Sequence, residues 1–311
     1  MTSILTNNAA MAALQTLRTI NDSMEETQAR VSSGLRVGSA ADNAAYWSIA
    51  TTMRSDNKAL SAVEDALGLG AAKVDTAYAA MESAKDVVEE IKAKVVAATE
   101  QGVDKAKVQE EIGQLQKQLM SIAESASFSG ENWIAGDAAD KSVVSGFVRS
   151  SGGTVSVTTT GYTLNDAATG NLLFGGDGSG GIDATSGIVG TTTAFSGGST
   201  FSVYTLDITA FTGTYVAVNM AEALKLVEDS FQAITSAAAE LGSISMRIGL
   251  QADFASKLSD SIDSGIGRLV DADMNEESTR LKALQTQQQL GIQSLSIANT
   301  NSENILQLFR Q

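Results

Sequence analysis

Between Tyr46 and Ala98 the chain reads YWSIATTMRSDNKALSAVEDALGLGAAKVDTAYAAMESAKDVVEEIKAKVVAA, and apolar residues recur in this stretch every seven positions. One apolar set begins at Tyr46 and a second at Ile49, and only Asp56 and Gly70 interrupt them. Such a repeat is typical of a helix that packs along one apolar stripe against other helices. At 1.5 Å per residue this helix would be roughly 80 Å long. No compact domain of this size needs so long a helix, so we predict an elongated helical assembly.

Composition limits the chemistry available to the chain. Its 311 residues are enough for two or three domains, and they include no Pro, no Cys and no His. Without Pro nothing breaks a long helix from within, and without Cys there are no disulfides and no thiolate metal sites. Without His the usual general base and the commonest metal ligand are missing. We therefore expect no enzyme, no cofactor and no metal site.

Charge and hydropathy bear on partners and location. The formal net charge of −15 at pH 7 argues against binding to nucleic acid or to anionic membranes. Residues 1–17 have no positively charged start and no continuous apolar core, so we expect no cleaved secretory signal. No apolar run approaches the ~18 residues of a membrane span. These signals alone would indicate a cytoplasmic protein, although the absence of Cys also fits a chain that is exported unfolded.

A second helix is predicted before the long one. Residues 4–34 carry a thinner apolar stripe, rich in Ala, which needs a packing partner to be stable. Gly34 is suited to end this helix as a left-handed cap. A linker over 35–41 follows, and we expect Ser39 or Asp42 to cap the long helix.

The middle of the chain changes character. Residues 104–126 repeat the apolar stripe after a short connection, which predicts an antiparallel neighbour of the long helix. Residues 128–134 combine turn residues with flanking aromatics, which indicates a hairpin. Sixteen of the 28 Gly residues then fall within 136–213, where Thr, Ser and Val dominate. Alternating runs at 154–158 and 200–206 predict strands, so we place a β-rich insertion here.

Helix returns in the C-terminal part of the sequence. One apolar stripe starts near Val218 and continues to Leu269, and another runs from about Asp271 to Phe309. In the last helix the stripe widens almost to a full wrap through the additional apolar residues Leu290, Ile292, Ile297, Leu306 and Leu308. A helix that is apolar on most sides is buried in a large core or in an oligomer. Here we expect burial by other subunits.

These elements combine into one predicted architecture. The fold class is mainly α: a long antiparallel coiled-coil helical bundle built from both termini, with a small β-rich central insertion at the outer tip. We expect three domains. Residues 1–43 with 268–311 form a terminal-helix domain, 44–135 with 218–267 form a helical bundle domain, and 136–217 form a variable β-rich outer domain.

The apolar stripes identify the residues expected to carry packing and assembly. Subunit contacts are expected through Leu17, Ile20, Met24, Val31, Leu281, Leu284, Leu295, Ile305 and Phe309. The buried stripe of the bundle is expected to comprise Met53, Leu60, Val63, Leu67, Val74, Met81, Val88, Ile91, Phe231, Ile234, Leu241 and Ile248. The terminal stripes are too apolar for a monomer, which again indicates self-association.

Candidate ligand sites are few. Residues 175–181 read GGDGSGG and could form a phosphate cradle or a calcium turn, but they lack the Lys-Ser/Thr of a P-loop and any calcium-binding repeat. A surface turn is the better interpretation. Gly68 and Gly70 lie within a helical register and indicate close helix packing or a flexible point in the helix rather than ligand binding. The carboxylates between Asp271 and Glu277 fit capping and dipole roles better than a metal site.

Several stretches carry a family resemblance. These are RVSSGLRVGSAADNAA at 30–45, FSG at 128–130, GRLVDADMNEES at 267–278 and SIANTNSENILQLF at 296–309. They closely resemble the signatures of bacterial flagellins, and LQTQQQLG at 284–291 resembles the rhizobial, alphaproteobacterial branch. The residues of the N-terminal signature are Arg30, Ser32, Ser33, Gly34, Arg36 and Asp42. The resemblance covers both ends of the chain in order and leaves the insertion unmatched.

The resemblance implies a structural subunit that polymerises into the bacterial flagellar filament, the helical propeller for swimming. It implies that the terminal helices line the filament core, that the bundle surrounds them and that the insertion faces solvent. The implied partners are other flagellin subunits, of the same or a sister kind, hook–filament junction and cap proteins, and an export chaperone. Export would use the flagellar type III apparatus without a cleaved signal peptide, and the protein would be extracellular.

Recognition by innate immune receptors is not expected from this resemblance. The segment of the family that animal receptors read is basic, whereas residues 89–94 read EEIKAK here. In the region read by plant receptors, Ala41, Asn43 and the pair Tyr46-Trp47 replace residues that are usually Lys, Asp and Gly.

Two other functions remain open at this point. A hook–filament junction protein would share the terminal helices but occupy another position, and abundance with self-polymerisation distinguishes the two. An extracellular adhesin could bind sugar through Tyr162, Tyr204 and Asp207 in the insertion. A glycan-binding screen distinguishes that function from a filament subunit.

Overall fold

The structure, a computed structural model, is built from long helices in both terminal parts and short strands in the middle. It describes residues 7–100, 102–150, 154–196 and 198–308, with side chains up to residue 300. The helices are α1 Asn8–Ser33, α2 Ala44–Ala97, α3 Lys105–Ser125, α4 Gly187–Gly190, α5 Val216–Val270 and α6 Met274–Leu308. The strands are β1 Ser127–Phe128, β2 Glu131–Asn132, β3 Ala135–Gly136, β4 Asp140–Arg149, β5 Val155–Thr163, β6 Phe174–Gly176, β7 Ile182–Asp183, β8 Thr193–Ala194 and β9 Thr200–Phe201. The prediction of a mainly α fold with a small β-containing centre is confirmed.

Contacts divide the chain into two compact units. The terminal unit comprises residues 1–58 and 259–311, and the central unit comprises 59–258. Both α2 and α5 contribute residues to each unit. The insertion at 136–217 lies wholly within the central unit. The predicted division into three domains stays a prediction.

Local signals set the ends of the terminal helices. The side chain of Asn7 accepts a hydrogen bond from the N–H of Ala10 and caps the first turn of α1. Gly34 ends α1 with φ of 73°, and its N–H donates to the carbonyl of Arg30. This left-handed conformation costs Gly little, so the expected stop is where the sequence indicated it. Asp273 caps α6 in the same way as Asn7, by accepting from the N–H groups two and three residues further on.

The cap of α2 differs from the expectation. Asn43 Oδ1 accepts a hydrogen bond from the N–H of Tyr46 at 3.1 Å, as an N-cap residue does. Asp42 instead accepts from the N–H groups of Gly38 and Ser39, at 3.0 and 2.9 Å. The prediction that Ser39 or Asp42 caps α2 is therefore wrong, because these residues close the preceding turn on themselves.

In the central unit α2 and α5 run antiparallel. Asp75 of α2 accepts a hydrogen bond from Ser245 of α5, and Lys92 forms an ion pair with Glu228. An apolar cluster follows the two helices and continues over α3. Its helical members include Leu67, Val74, Met81, Val88, Ile91, Ile112, Leu119, Ile234 and Leu241.

The predicted bundle stripe is mostly buried, but it starts later than expected. Leu60, Val63, Leu67, Val74, Met81, Val88, Ile91, Ile234, Leu241 and Ile248 are all buried. Met53 and Phe231 are half-buried. Tyr46 and Ile49, the first residues of the heptad pattern, are exposed, and the buried positions begin at Ala50. The buried part of the repeat therefore begins about one turn later in α2 than the sequence predicts.

The hairpin predicted after α3 is present. β1 and β2 pair antiparallel around Ser129 and Gly130, whose φ values of 53° and 82° are those of a tight two-residue turn. Asn132 Nδ2 donates to the carbonyl of Ala123, and Asn132 Oδ1 accepts from the N–H groups of Ile134 and Ala135. The hairpin is thereby tied to the end of α3.

The insertion contains one long hairpin and several short strands. β4 and β5 pair antiparallel over their whole length, with a bulge between Val144 and Gly146. β6 pairs with β3 on one side and with β7 on the other, and β8 pairs with β9. The strand expected over 200–206 ends at Phe201, so that prediction is wrong beyond this residue.

Long-range hydrogen bonds explain why β9 ends early. The amide of Gln116 on α3 donates to the carbonyls of Val203 and Leu206, both at 3.0 Å. One heptad earlier, Gln109 donates to the carbonyl of Leu206 and accepts from the N–H of Ile208. Because α3 supplies these partners, the backbone of 203–208 does not need a neighbouring strand.

The insertion and the helices share their apolar core. Residues of the insertion that are buried in the same cluster as the helices are Val143, Tyr162, Leu164, Leu172, Leu173, Phe174, Ile188, Val189, Phe195, Val203, Leu206, Ile208 and Phe211. Phe195, Phe201 and Phe211 contact one another at ring distances of 5.3 to 5.7 Å. The insertion thus covers one side of the helical bundle.

The Gly-rich stretch 175–181 comprises the end of β6 and the connection from β6 to β7. Asp177 Oδ1 accepts from the N–H groups of Ser179 and Gly181, and these hydrogen bonds hold the pKa of Asp177 below its usual value. A Cβ at Gly175 would lie 2.1 Å from the hydroxyl of Ser186. Local packing therefore accounts for the residues of this turn.

Gly70 allows β4 to approach α2 closely. A Cβ built on Gly70 would lie 2.0 Å from Val143 Cγ1, whereas one on Gly68 would meet nothing within 4 Å. Val143 is buried against the helix at this point. The expectation of close packing therefore applies to Gly70 and not to Gly68.

These two glycines provide a matched test. We expect Gly70→Ala to lower the free energy of unfolding by about 1–3 kcal/mol, because the methyl group forces β4 away from α2. Gly68→Ala should raise it by roughly 0.5–1 kcal/mol, because Ala is the better helix former in open space. Urea unfolding followed by circular dichroism measures both. Equal effects of the two substitutions would show that the contact with Val143 does not constrain the helix.

Candidate assembly surface

The terminal unit is organised by the contact between α1 and α6. A Cβ on Gly291 would lie 2.9 Å from Leu17 Cδ1, so the helices approach closely at this glycine. Two polar contacts fix the register of the pair. Gln288 Nε2 donates to Asn21 Oδ1 at 2.7 Å, and Asn7 Nδ2 donates to the carbonyl of Ala298 at 2.9 Å.

The residues predicted to make subunit contacts lie partly within this helix pair. Leu17, Ile20, Met24, Val31, Leu281, Leu284 and Leu295 are all half-buried in the single chain. The side chain of Ile305 and all of Phe309 lie outside the described residues. Heptad positions on the two helices are thus partly used by the chain for its own packing.

A second set of apolar residues on the same helices is more exposed. This outer row consists of Met11, Leu14, Leu290, Ile292 and Ile297. Ile297 exposes 70% of its surface and Leu290 exposes 59%, although both are large aliphatic side chains. Isolated surface apolar residues are normal, but five on one helix pair leave apolar surface on several sides of it. The sequence signal for the α6 members was the widening of the stripe around the helix.

The segment that follows α1 contacts the end of α5 and the connection between α5 and α6. The N–H groups of Arg36 and Val37 donate to the carbonyl of Val270, and the N–H of Ala272 donates to the carbonyl of Gly34. Leu35 and Asp271 form an isolated antiparallel bridge. We call residues 34–37 and 269–272 the clasp. It joins two stretches that are more than 230 residues apart in sequence, as the span between Arg36 and Leu269 shows.

An ion cluster stabilises the α1–α6 pair next to the clasp. Arg30 donates to Glu277 Oε1 at 3.3 Å and also pairs with Glu26. Glu277 is only 5% exposed, and Arg280 approaches the same carboxylate oxygen. A dipole role was predicted for the carboxylates here. Asp273 does cap α6, but Glu277 forms a buried ion pair, which sequence spacing did not reveal.

The other signature residues serve the same region. Ser33 Oγ accepts from the N–H of Leu35, and the guanidinium of Arg36 donates to the carbonyl of Leu269 at 3.1 Å. Hydrogen bonds from Ser39 lower the pKa of Asp42, which keeps its carboxylate ionised in the turn before α2. Ser32 is exposed. The signature therefore encodes the geometry of the clasp rather than a reactive site.

The residues considered for sugar binding do not form a common surface. Tyr162 is buried and stacks on Trp133 with ring centroids 6.0 Å apart, and its burial raises the pKa of its hydroxyl. Tyr204 packs edge-on against Phe174. Asp207 caps a short 3₁₀ turn by accepting from the N–H of Thr209. All three side chains serve the fold of the insertion.

Two further properties bear on the type of site. In the part of the chain that the structure describes, no cluster of three or more acidic side chains is arranged to hold a metal ion. Over the same residues, no helix combines the length and apolar character that a bilayer crossing requires.

Comparison with known proteins gives matches at both ends and over the full length. Residues 4–139 match the bacterial flagellin N-terminal helical region, and residues 224–309 match the C-terminal helical region. Flagellin D and flagellin C of Rhizobium meliloti are each 53% identical, and a flagellin of Brucella melitensis biotype 1 is 43% identical. Each alignment covers 100% of both chains. The alignment with flagellin D extends over 395 positions, so that relative contains residues that this chain lacks.

The ion cluster at the clasp is open to a direct test. Arg30→Met leaves the buried carboxylate of Glu277 without its main partner, so we expect the local opening free energy of α1 and α6 to fall by about 1–3 kcal/mol. The value is reduced from that of a fully buried pair because the Arg30 side chain is 25% exposed. Hydrogen exchange should then become roughly 10–100-fold faster at amides of both helices.

Arg18→Met is the matched control, because Arg18 is an exposed residue of the same helix. It should leave exchange rates in α6 unchanged. If both substitutions accelerate exchange equally, loss of positive charge on α1 is responsible and the pair with Glu277 is not.

Proposed function

This chain belongs to the bacterial flagellin family, and from that premise we propose that its paired terminal helices make the subunit contacts at the core of the flagellar filament. Membership of the family identifies the chain as a structural filament subunit that polymerises with other flagellin subunits outside the cell. What is proposed is which surfaces it uses, how its segments are arranged in the polymer and which other partners it meets.

The exposed outer row is the observation that carries the proposal. Its five apolar side chains lie on α1 and α6, where they are not covered by the chain itself. Burial of one large aliphatic side chain is worth about 1.5–3 kcal/mol. In a helical polymer the same contact recurs at every subunit, because heterologous contacts that do not close on themselves generate filaments.

The seven half-buried residues of the predicted assembly set have a second role in this proposal. They hold α1 against α6, and the remaining exposed fraction of each is covered by neighbouring subunits. The outer row and these residues together then form a helix pair that is apolar on most sides, which is stable only inside an assembly.

The segments of the chain take three positions in the proposed polymer. Residues 1–43 and 268–311 lie at the filament core, and the helices of 44–135 and 218–267 surround them. Residues 136–217 form the outer surface. The mostly polar and uncharged character of the exposed strand β5 supports an outer position for the insertion. We assign no catalytic role to any segment.

Other partners follow from the position of the subunit in a flagellum. We propose contacts with hook–filament junction and cap proteins at the two ends of the polymer, and with an export chaperone and the type III apparatus before assembly. We further propose export without a cleaved signal peptide. In support, the described chain is helical from Asn8 onward and that helix packs on α6, so these residues belong to the folded protein.

The outer row gives a specific assembly test. Ile297→Ser should raise the critical concentration for polymerisation about 10–100-fold, because each subunit loses the burial of one large apolar side chain. The melting temperature of the soluble chain should stay the same, because Ile297 is already exposed there. Sedimentation of polymer over a concentration series, with electron microscopy of the pellet, measures the effect.

Val148→Ser is the matched control, since Val148 is also an exposed β-branched residue but lies on β4 in the insertion. It should polymerise at the wild-type concentration. Normal assembly of the Ile297→Ser variant would exclude the outer row from the subunit contacts.

A further inference from the structure

The connection from β6 to β7 contains a peptide bond with a reactivity of its own. Asp177 is followed by Gly178, and both residues are exposed. At an Asp-Gly pair the backbone nitrogen of the glycine attacks the side-chain carboxyl carbon of the aspartate, because glycine has no Cβ to hinder the approach. Water leaves and a succinimide ring closes. Addition of water then opens the ring, either back to aspartate or to isoaspartate, in which the backbone runs through the side chain.

The pair differs in its setting from the related Asp-Ser pairs, which react in the same way but more slowly. All of these lie within α1 or α5: Asp22–Ser23, Asp229–Ser230, Asp260–Ser261 and Asp263–Ser264. Inside a helix the N–H after each aspartate donates to a carbonyl four residues earlier, so its nitrogen is not free to attack. Asp177–Gly178 is the one Asp-Gly pair of the sequence, and it lies outside the helices and strands.

Asp137 holds the nitrogen that would attack. β3 and β6 are parallel and pair Gly136 with Gly175, so Asp137 and Gly176 follow this pair at the same edge. Asp137 Oδ1 accepts a hydrogen bond from the N–H of Gly178 at 2.9 Å. A Cβ on Gly176 would lie 2.0 Å from the same oxygen, so glycine at this position lets the carboxylate approach. This hydrogen bond must break before the nitrogen of Gly178 attacks.

Asp177, which would be attacked, is held as well. Its Oδ1 accepts from the N–H groups of Ser179 and Gly181 at 2.8 and 2.9 Å. These hydrogen bonds lower the pKa of the Asp177 carboxyl, against the opposing charge of Asp183. The ionised carboxylate is the unreactive form, because its oxygen leaves as water only after protonation. The turn therefore restrains both groups that take part in ring closure.

Isoaspartate at this position would alter the connection between two paired strands. It adds one carbon atom to the backbone between β6 and β7, whose pairing joins Gly175 to Asp183. The N–H of Asp177 donates to the carbonyl of Gly181 at 3.1 Å and closes the turn. The added atom changes the spacing of these two groups. β6 begins with the fully buried Phe174, so the change occurs close to the core of the central unit.

We propose that Asp177 is a site of spontaneous isoaspartate formation and that Asp137 slows the reaction by holding the N–H of Gly178. Asp137 takes no part in the bonds that form and break, and it acts by stabilising the unreacted turn. It lies 41 residues before Gly178, so the local sequence does not reveal its role. The inference concerns the chemical ageing of the chain and does not depend on the subunit contacts of the proposed filament.

Substitution of Asp137 tests the protection. The soluble full-length chain is kept at neutral pH and digested after increasing times, and isoaspartate at position 177 is measured by electron-transfer fragmentation of the peptide. Asp137→Ala should raise the initial rate of its formation roughly tenfold, because the hydrogen bond to the N–H of Gly178 is lost. Asp137→Asn keeps an oxygen that accepts this hydrogen bond and should stay within about threefold of wild type.

Asp140→Ala is the matched control. It removes the same charge from the same segment, but the Asp140 carboxylate accepts from the hydroxyl of Thr163 and not from the turn. The rate at position 177 should stay at the wild-type value. A free peptide with the sequence of 174–183 gives the rate without the fold, and the wild-type chain should react at least about tenfold more slowly. Circular dichroism melts show that each variant is folded.

The outcomes decide between protection and its alternatives. A wild-type chain that reacts as fast as the free peptide would show that the turn gives no protection. A folded Asp137→Ala variant that reacts at the wild-type rate would overturn the role of Asp137, and a slower rate would make Asp137 a base that accepts the proton of the N–H. Equal acceleration by Asp137→Ala and Asp137→Asn would exclude the hydrogen bond as the cause. All of these results are read from isoaspartate content, so the Ile297→Ser test of the proposed function is independent of them.

Discussion

Burial of the apolar stripe of α2 is the constraint on which the rest of the central unit depends. This helix has 54 residues and contains no Pro to bend it, so its stripe needs cover along most of its length. α5, with 55 residues, covers this stripe in antiparallel orientation, and α3 packs against the same apolar cluster. The insertion then covers the remaining side with its own apolar residues. A segment that differs so much in composition is thereby part of the same core.

In the terminal unit only two helices, α1 and α6, cover each other, so their apolar residues are only partly buried. Two helices in contact can each bury one face, and the opposite faces stay in water. The heptad residues with which α1 and α6 contact each other are accordingly half-buried, and the outer row is exposed. The clasp and the ion pair between Arg30 and Glu277 supply polar contacts that a two-helix pair with so small a core needs. The unit is thus ordered locally by hydrogen bonds, and in the proposed filament other copies cover its exposed faces.

Periodicity and local signals predicted the helices well, because both depend on neighbouring residues. The end of α1 at Gly34 and the hairpin after α3 followed from residue types that allow few backbone conformations. The cap of α2 was missed because Asp42 closes a local turn with Gly38 and Ser39, but two other errors occurred where distant residues decide. The end of β9 depends on Gln116, and the buried state of Glu277 depends on Arg30, which lies 247 residues earlier. The outer row was only partly visible, since heptad counting selects the residues that face a partner helix within the chain.

The amides of Gln109 and Gln116 hold the loop at 203–208 by its backbone carbonyl and N–H groups. An attachment of this kind does not depend on the identity of the side chains that the loop carries. Val203, Leu206 and Ile208 point into the core, but Thr205 between them is exposed. Thr205 Oγ1 accepts from the N–H of Ser202, so a change there would affect this local turn but not the hydrogen bonds to α3. A surface of variable appearance is compatible with an unchanged scaffold where the polar contacts from α3 are made to the main chain.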